Sequence, residues 1–193
     1  MPGTAETLNY GQQIIETTQD GPKGEYRLFD ETRGLGIQTV GADGLDIYDD
    51  DNDWSFDADN LSMALDVHHG MGATHDYFVD RFNRNGLDGN GVALRASTGI
   101  PFANAFYGGP QDIGIGAGDP GFFLDRPLSG LDVVAHVLAH GFSAFSSNLI
   151  FAGDSGGLNE SFSDFAGVTV EHNTYNTSGP SAWTLGEEAS SEG

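Results

Sequence analysis

Cysteine is absent from the 193-residue chain, and basic residues are scarce. Without cysteine there is no disulfide framework, no thiol nucleophile and no thiolate metal site, so a metal site must use histidine and carboxylates. Only 7 Lys and Arg stand against 29 Asp and Glu, which gives a formal net charge of −22. This balance excludes a general nucleic-acid binder, because phosphate neutralisation needs a basic face. It also argues against docking on an anionic membrane surface.

Long apolar runs are also missing. No stretch approaches the roughly 18 apolar residues of a transmembrane helix. The first eight residues have no basic region followed by an apolar stretch, so no signal peptide is predicted in this chain. The length suits one ordinary domain with one sizeable core.

The acidity is expected to influence stability. Of the 29 acids 20 are Asp, and Lys23 is the only lysine. Three interpretations stay open: adaptation to high salt, solubility of a secreted protein, and cation binding by some of the carboxylates.

We expect the melting temperature to rise between low and molar KCl, because salt screens the self-repulsion of the charged chain. A melting temperature that salt leaves unchanged or lowers would contradict the high-salt interpretation.

Local patterns predict an α+β chain, with a β-rich first part followed by helices. Short strands are predicted at 26–29, 36–40, 104–107 and 112–115. Helices are predicted over 60–83, from residue 131 onward and over about 157–171. In the last of these helices, Leu158, Phe162 and Phe165 are expected to form the buried stripe.

Two histidines one helical turn apart, His136 and His140, are the first chemical signal. On a helical wheel they lie opposite Leu131, Val134 and Leu138, which form the predicted core face. This separation suits two ligands of one zinc ion. The spacing alone is weak, because histidines so placed are more often ordinary partly buried side chains.

A third candidate ligand, Glu160, follows His140 by 20 residues and begins a second helix that could pack on the first. Asp164 lies one turn beyond Glu160, and Asn159 directly precedes it. A zinc-bound histidine usually donates its other ring N–H to a carboxylate or amide, which sets its tautomer. Asp164 and Asn159 are therefore candidates for supporting the two histidines.

The stretch at residues 127–141, followed by that at 157–167, closely resembles the thermolysin-like neutral zinc metalloproteases. Segments at 30–34, 66–68, 74–77 and 104–107 extend the likeness in the same order along the chain. The resemblance covers residues from about 10 to about 187. It implies an extracellular zinc metalloendopeptidase that acts on peptide or protein substrates.

The resemblance also implies roles for individual residues. It implies zinc ligands His136, His140 and Glu160, with Asp164 orienting His136 and Asn159 supporting His140. Substrate backbone would be held by Asn104 and Ala105, and calcium by Asp132, Glu171 and Glu187. Two further acidic positions of the family's double-calcium site are Ala182 and Thr184 here. A full two-calcium cluster is therefore not expected, and a single calcium ion remains the alternative.

Three departures from the family bear on activity. Val137 stands where the family has its general-base Glu, and Phe151 stands where it has an oxyanion-stabilising Tyr. The chain also stops before the family's helical C-terminal domain. Since a general base contributes typically about 10²–10⁴-fold, we expect little or no hydrolysis. The alternative is a non-catalytic zinc-binding pseudoprotease or a peptide-binding remnant.

The resemblance divides the chain into three parts. A β-rich, zincin-type part with one long helix covers 1–130, the zinc-site helices cover 131–172, and an acidic Ser/Gly-rich tail covers 173–193. The tail is expected to be loop or disordered. With the C-terminal domain missing, Val133 and Val137 would lie exposed beside the histidines, so self-association through this face is expected.

Overall fold

A computed structural model describes residues 1–56 and 59–191 and has the predicted mixed α+β architecture. The three helices are α1 (Asp59–Phe82), α2 (Leu131–Ser146) and α3 (Gly153–Tyr175), and two 3-10 turns follow at Pro180–Trp183 and Glu187–Ala189. The strands are β1 (Pro2–Thr7), β2 (Gly11–Glu16), β3 (Thr18–Gln19), β4 (Tyr26–Arg27), β5 (Phe29–Asp30), β6 (Ile37–Val40), β7 (Tyr48–Asp49), β8 (Asp53–Trp54), β9 (Leu94–Ile100), β10 (Ala105–Tyr107) and β11 (Asp112–Gly116). Within the described ranges, no helix combines the length and apolar character that crossing a membrane requires.

The largest sheet has five strands in the order β10-β11-β9-β6-β5. Its central strands β6, β9 and β11 run parallel, while β5 and β10 pair antiparallel at the two edges. The chain connects β6 to β9 through the long helix α1, as parallel strands require a crossover. Among residues 1–56 and 59–191, no strand pairs with the outer side of the edge strand β10.

The main core lies between this sheet and the helices. The predicted inner face of α2, formed by Leu131, Val134 and Leu138, is fully buried there. Met71 of α1 and Ile115 of β11 belong to the same cluster. The helical periodicity of α2 therefore predicts its inner face correctly, and this face fixes which side of the helix the histidines occupy.

Helix α3 packs on α2 through small residues. A Cβ added at Gly167 would lie 2.6 Å from the carbonyl oxygen of Asp132, so the helices approach closely at this point. The prediction that Leu158, Phe162 and Phe165 form a buried stripe is wrong, because they are 62%, 41% and 61% exposed. The buried face of α3 carries mainly small residues, among them Gly156, Ser163 and Ala166, and the three long apolar side chains lie on its exposed side.

The start of the C-terminal tail is more ordered than its composition predicts. Helix α3 continues to Tyr175, and the two 3-10 turns follow it. The second turn is tied down, because the Gly186 N–H donates to Asp132 Oδ2 at 2.5 Å and Ala189 is buried. Residues 173–175 thus belong to α3, and for the rest of the tail the expectation of loop or disorder stays a prediction.

A buried carboxylate, Asp66, joins the N-terminal hairpin to the start of α2. Asn9 donates to it from the backbone N–H at 3.2 Å and from Nδ2 at 2.8 Å. Ser129 Oγ donates to Asp66 Oδ2 at 2.8 Å. Burial raises the pKa of Asp66 to about 6, because the loss of hydration outweighs these hydrogen bonds.

Asp66 should make stability depend on pH. Its folded pKa lies above the ordinary value of about 3.9, so its contribution is present below about pH 4 and lost as the pH rises through about 6. The shift corresponds to about 3 kcal/mol of unfolding free energy. The unfolding free energy, measured by urea titration, should fall between pH 4 and pH 7 in the parent chain. We expect Asp66→Asn to remove the part of this fall that comes from Asp66. If the unfolding free energy falls equally steeply with pH in the variant and the parent, the raised pKa is not that of Asp66.

Candidate metal centre

Helices α2 and α3 bring the three predicted ligand side chains to one point. His136 Nε2 lies 3.1 Å from His140 Nε2, and Glu160 Oε2 lies 3.3 Å and 3.8 Å from these two nitrogens. The separations match the edge of a zinc tetrahedron, which is about 3.3 Å when each ligand lies about 2.0–2.1 Å from the metal. The residues converge because one helical turn separates the histidines and Glu160 is in the first half of the facing helix.

The other nitrogen of each imidazole is held by α3. His140 Nδ1 lies 2.9 Å from Asn159 Oδ1, and Ser163 Oγ is 3.1 Å from the same nitrogen. His136 Nδ1 lies 2.9 Å from Asp164 Oδ1, an ion-pair distance without hydrogen-bond alignment. Oxygen acceptors at both Nδ1 atoms favour the tautomer that keeps the proton there. Both Nε2 lone pairs are then free to point at the common centre.

This donor set fits a cation. Two nitrogen lone pairs and a carboxylate oxygen that face one another at 3.1 to 3.8 Å repel unless a positive charge lies between them. The pKa of His136 is lowered by burial and, secondarily, by the neighbouring His140, which favours the neutral ligating form. Nitrogen and carboxylate donors without thiolate are among the ligand sets of catalytic zinc sites.

The three side chains border an open cleft of about 610 Å³. Asn104, which directly precedes edge strand β10, and Ala105, the first residue of that strand, also line the cleft. Phe151 also lines the cleft and is 66% exposed, and its ring centroid lies 5.8 Å from that of His140. The start of β10, the three candidate ligands and the Phe151 ring thus border one cleft.

Val137 is not in the wall of this cleft. Its side chain is only 2% exposed and belongs to the main core, against which Ala105 and Tyr107 of β10 also pack. The expectation of an exposed apolar patch containing Val137 is therefore wrong, because the edge strand covers this side of α2. The expected self-association through this face of α2 therefore has no support from Val137.

A second acidic group lies at the opposite end of α2. Carboxylate oxygens of Asp132, Glu187 and Glu188 lie within 4.8 Å of one another. Within the described residues, Glu187 Oε2 and Glu188 Oε2 are buried without hydrogen-bond partners. Burial raises the pKa of Asp132 to about 7. A cation would compensate this concentration of negative charge.

Glu171 lies beside this acidic group rather than inside it. Its Oε1 accepts a hydrogen bond from the Tyr10 hydroxyl at 3.1 Å, and that hydroxyl accepts the Leu131 N–H at 2.6 Å. Burial, followed by the charge of Glu188, raises the pKa of Glu171 to about 7. Glu188 thus joins Asp132 and Glu187 in the acidic group, and the role of Glu171 as a calcium ligand stays a prediction.

Ser163 is the second residue that the sequence analysis does not identify. Serine carries no metal-ligand signal of its own, but Ser163 follows Asn159 by four residues and so lies on the same face of α3. Glu188 follows Glu187 in the acidic tail, where spacing alone does not say which of two adjacent carboxylates turns inward. Helical spacing could have indicated Ser163 but not Glu188.

Comparison with known proteins identifies the family. The model of the thermolysin metallopeptidase catalytic domain matches residues 2–144. This chain belongs to the thermolysin metallopeptidase family. The model of the family's alpha-helical domain matches residues 147–193. The expectation that the chain stops before the helical domain is therefore wrong, because the match to that domain begins at residue 147.

Individual relatives agree with this assignment. Bacillolysin from Brevibacillus brevis is 39% identical over 183 residues, which cover 90% of this chain and 31% of that protein. The thermostable neutral protease of Geobacillus stearothermophilus is 35% identical over 184 residues, covering 92% and 32%. Among solved structures, the precursor of protealysin, a metalloproteinase from Serratia proteamaculans, matches with a TM-score of 0.61 and 25% identity, over 89% of this chain and 49% of that one. The chain spans about a third of the length of these two curated relatives.

Proposed function

We propose that this chain binds one zinc ion through His136, His140 and Glu160 and holds peptide in the adjoining cleft. The observation that carries the proposal is the meeting of His136 Nε2, His140 Nε2 and Glu160 Oε2 at 3.1 to 3.8 Å beside the free edge of β10. Membership of the thermolysin metallopeptidase family supports peptide bonds as the substrate of this lineage. It also supports an extracellular location for this protein.

The residues around the ligands would have two roles, which are support of the imidazole rings and alignment of the substrate backbone. Asn159, Ser163 and Asp164 would hold the imidazoles with their Nε2 atoms toward the metal. Asn104 and Ala105 would align a substrate backbone along β10 by strand addition. A bound zinc ion polarises a substrate carbonyl and lowers the pKa of its water. Protein and peptide segments are therefore the proposed partners.

We further propose that hydrolysis by this chain is absent or severely impaired. Val137 has no proton acceptor and is buried in the core, and Phe151 has no hydroxyl to donate to an oxyanion. The base and one oxyanion donor that a complete family site would offer are thus replaced by hydrocarbon. The alternative function is a non-catalytic zinc-binding pseudoprotease, and the burial of Val137 favours it.

Metal content and peptide hydrolysis test the proposal together. The chain, dialysed against zinc-free buffer after loading, should retain one zinc per molecule by mass spectrometry. Casein and fluorogenic peptides should show at most trace cleavage, abolished by a zinc chelator. Failure to retain zinc would overturn the metal site. Robust chelator-sensitive cleavage by the unmodified chain would overturn the inactive assignment.

We also propose a single calcium ion at Asp132, Glu187 and Glu188. Supporting it are the 4.8 Å grouping of their oxygens and the two buried, unpartnered carboxylate oxygens among the described residues. Hard oxygen donors of this kind suit Ca²⁺. A bound ion would tie the tail to the first turn of α2 and so support the zinc helix.

Calcium should therefore stabilise the fold. At a calcium concentration about 100 times its Kd, the gain is about 2.7 kcal/mol, which corresponds to a rise of about 5–10 °C in melting temperature for a chain of this size. The comparison needs NaCl of equal ionic strength, because screening alone stabilises so acidic a chain. Asp132→Asn should lose the calcium-specific rise, and an equal rise in that variant would contradict the site.

A further inference from the structure

Two asparagine–glycine pairs lie in the turn at residues 83–91, between α1 and β9. They are Asn85-Gly86 and Asn90-Gly91. Asparagine is a thermolabile residue, and a following glycine has no Cβ to obstruct the approach of its backbone nitrogen to the side-chain amide. The proposed function does not use this turn. Both asparagines are exposed, so exposure alone does not distinguish their reactivity.

The side-chain carbonyl of Asn85 has a hydrogen-bond donor. His75 Nε2, on the long helix α1, lies 3.1 Å from Asn85 Oδ1. An amide oxygen only accepts, so the proton of this contact belongs to the imidazole nitrogen. A donor at this oxygen stabilises the negative charge that develops there when a nucleophile attacks the amide carbon. His75 therefore activates the Asn85 amide.

The backbone nitrogen that follows this amide is not held by a hydrogen bond. Within residues 1–56 and 59–191, the Gly86 N–H has no acceptor. Gly86 itself is buried, but the carbon that its nitrogen would attack belongs to the preceding residue, so no external ligand has to reach it. The exposed Asn85 side chain gives water access to the product. Asn85 thus combines an activated carbonyl with an unengaged neighbouring nitrogen.

Asn90 has neither feature. The Gly91 N–H donates to the Asn85 backbone carbonyl at 2.8 Å, and this bond would have to break before the nitrogen could attack. The Asn90 backbone N–H donates to Asp88 Oδ1 at 2.8 Å, which fixes the residue in the turn. In the part of the chain that the structure describes, no donor bonds to Asn90 Oδ1. The turn therefore holds Asn90 without activating it.

We propose that Asn85 is a site of spontaneous deamidation in the folded protein and that Asn90 is protected. The Gly86 nitrogen forms a bond to Asn85 Cγ and loses its proton to solvent. The bond between Cγ and Nδ2 breaks, and Nδ2 takes up a proton and leaves as ammonia. Water then opens the cyclic succinimide at either carbonyl and gives aspartate or isoaspartate at position 85. Water is the only co-reactant, and nothing is oxidised or reduced.

The modification would be felt in the core beside α2. Isoaspartate adds a methylene to the main chain at the residue whose carbonyl accepts the Gly91 N–H. Leu87, two residues further on, is 1% exposed, and a Cβ added at Gly141 would lie 2.6 Å from Leu87 Cδ1. Gly141 directly follows His140. We therefore expect the deamidated chain to melt at a lower temperature than the parent.

Incubation of the full chain at mildly alkaline pH tests the proposal. Trypsin cleaves after Arg84 and Arg95 and releases one peptide with both asparagines, in which fragmentation by mass spectrometry locates each deamidation. In the folded chain Asn85 should react at least about tenfold faster than Asn90, less than the roughly 10²–10³ of an oxyanion donor in an enclosed active site. In urea both should react at equal rates, because glycine follows each. Equal rates in the folded chain, or no reaction at Asn85 there, would overturn the proposal.

His75→Phe tests the source of the activation. This variant removes the donor and keeps a ring, so Asn85 in the folded variant should react roughly tenfold more slowly than in the parent. Asn90 in the same peptide is the internal control and should keep its rate. An unchanged rate at Asn85 would refute the role of His75. If the variant does not fold, as judged by its thermal melt, the comparison of the folded parent with the parent in urea decides.

Discussion

Val137→Glu should give at most slow, chelator-sensitive peptide hydrolysis, because Val137 is buried in the main core and does not line the cleft. A positioned general base contributes typically about 10²–10⁴-fold, and the residue directly follows the proposed ligand His136. The variant should remain well below a complete enzyme, because Phe151 still lacks a hydroxyl. An absent oxyanion donor typically costs about 10²–10³ in turnover. Fluorogenic peptide assays with and without chelator measure both effects.

The matched control is Val137→Gln, which has the size and polarity of Glu without its basicity. Val137 is 2% exposed, so both variants should lower the melting temperature, and the Glu variant should lower it more because a buried carboxylate costs more free energy than a buried amide. Only the Glu variant should gain activity, and adding Phe151→Tyr should raise that activity further. Equal hydrolysis by the Gln variant would show that the gain comes from a loosened cleft and not from a base. Hydrolysis by neither folded variant would show that position 137 cannot reach the cleft.

The convergence of His136 and His140 could be predicted because helical geometry is local. One turn between His136 and His140 places both imidazoles on one face, whatever the rest of the fold does. Asn159, Glu160 and Asp164 needed one further assumption, that α3 packs on α2, and the structure meets it. Periodicity thus predicts the pairing of the two histidines, whereas the ligand set as a whole is what the family resemblance implies.

The errors arose where burial depends on distant segments. Val137 is covered by the cluster to which β10 contributes, and no pattern within α2 reveals which strand lies against it. Leu158 and Phe162 have helical apolar spacing, but the close approach at Gly167 turns the small-residue face of α3 inward instead. Hydrophobic spacing identifies an apolar face and does not identify the surface that covers it.

The N-terminal hairpin was missed for a related reason. The segments 2–7 and 11–16 are rich in polar residues and short of β-branched runs, so β1 and β2 give a weak strand signal. They are stable as strands because they pair with each other along six residues and because Asn9 at the turn bonds to Asp66. Tertiary hydrogen bonds here outweigh local propensity.

His140→Ala should lower zinc affinity on the order of a thousandfold or more. Three protein ligands would share a binding free energy of roughly 10–16 kcal/mol, so the loss of one removes several kcal/mol. His172→Ala is the matched control, because His172 is exposed on the same pair of helices and lies outside the ligand group. Competition with a chromophoric chelator measures the affinity, and equal losses in both variants would contradict the assignment of His140.

Ser163→Ala then tests whether the hydrogen-bond partners of His140 Nδ1 affect the affinity for zinc. Ser163 Oγ and Asn159 Oδ1 both approach His140 Nδ1, at 3.1 Å and 2.9 Å. Loss of such a partner typically weakens metal binding by about 10–100-fold, and Ser163→Ala should fall at the lower end because Asn159 remains. The exposed Ser161, two residues away on α3, supplies the control Ser161→Ala, which should bind zinc as the parent does. If Ser163→Ala also retains the parent affinity while Asn159→Ala loses it, Asn159 alone orients the ring. If neither changes the affinity, the ring is held by packing, and the proposed hydrogen-bonded support of His140 is refuted.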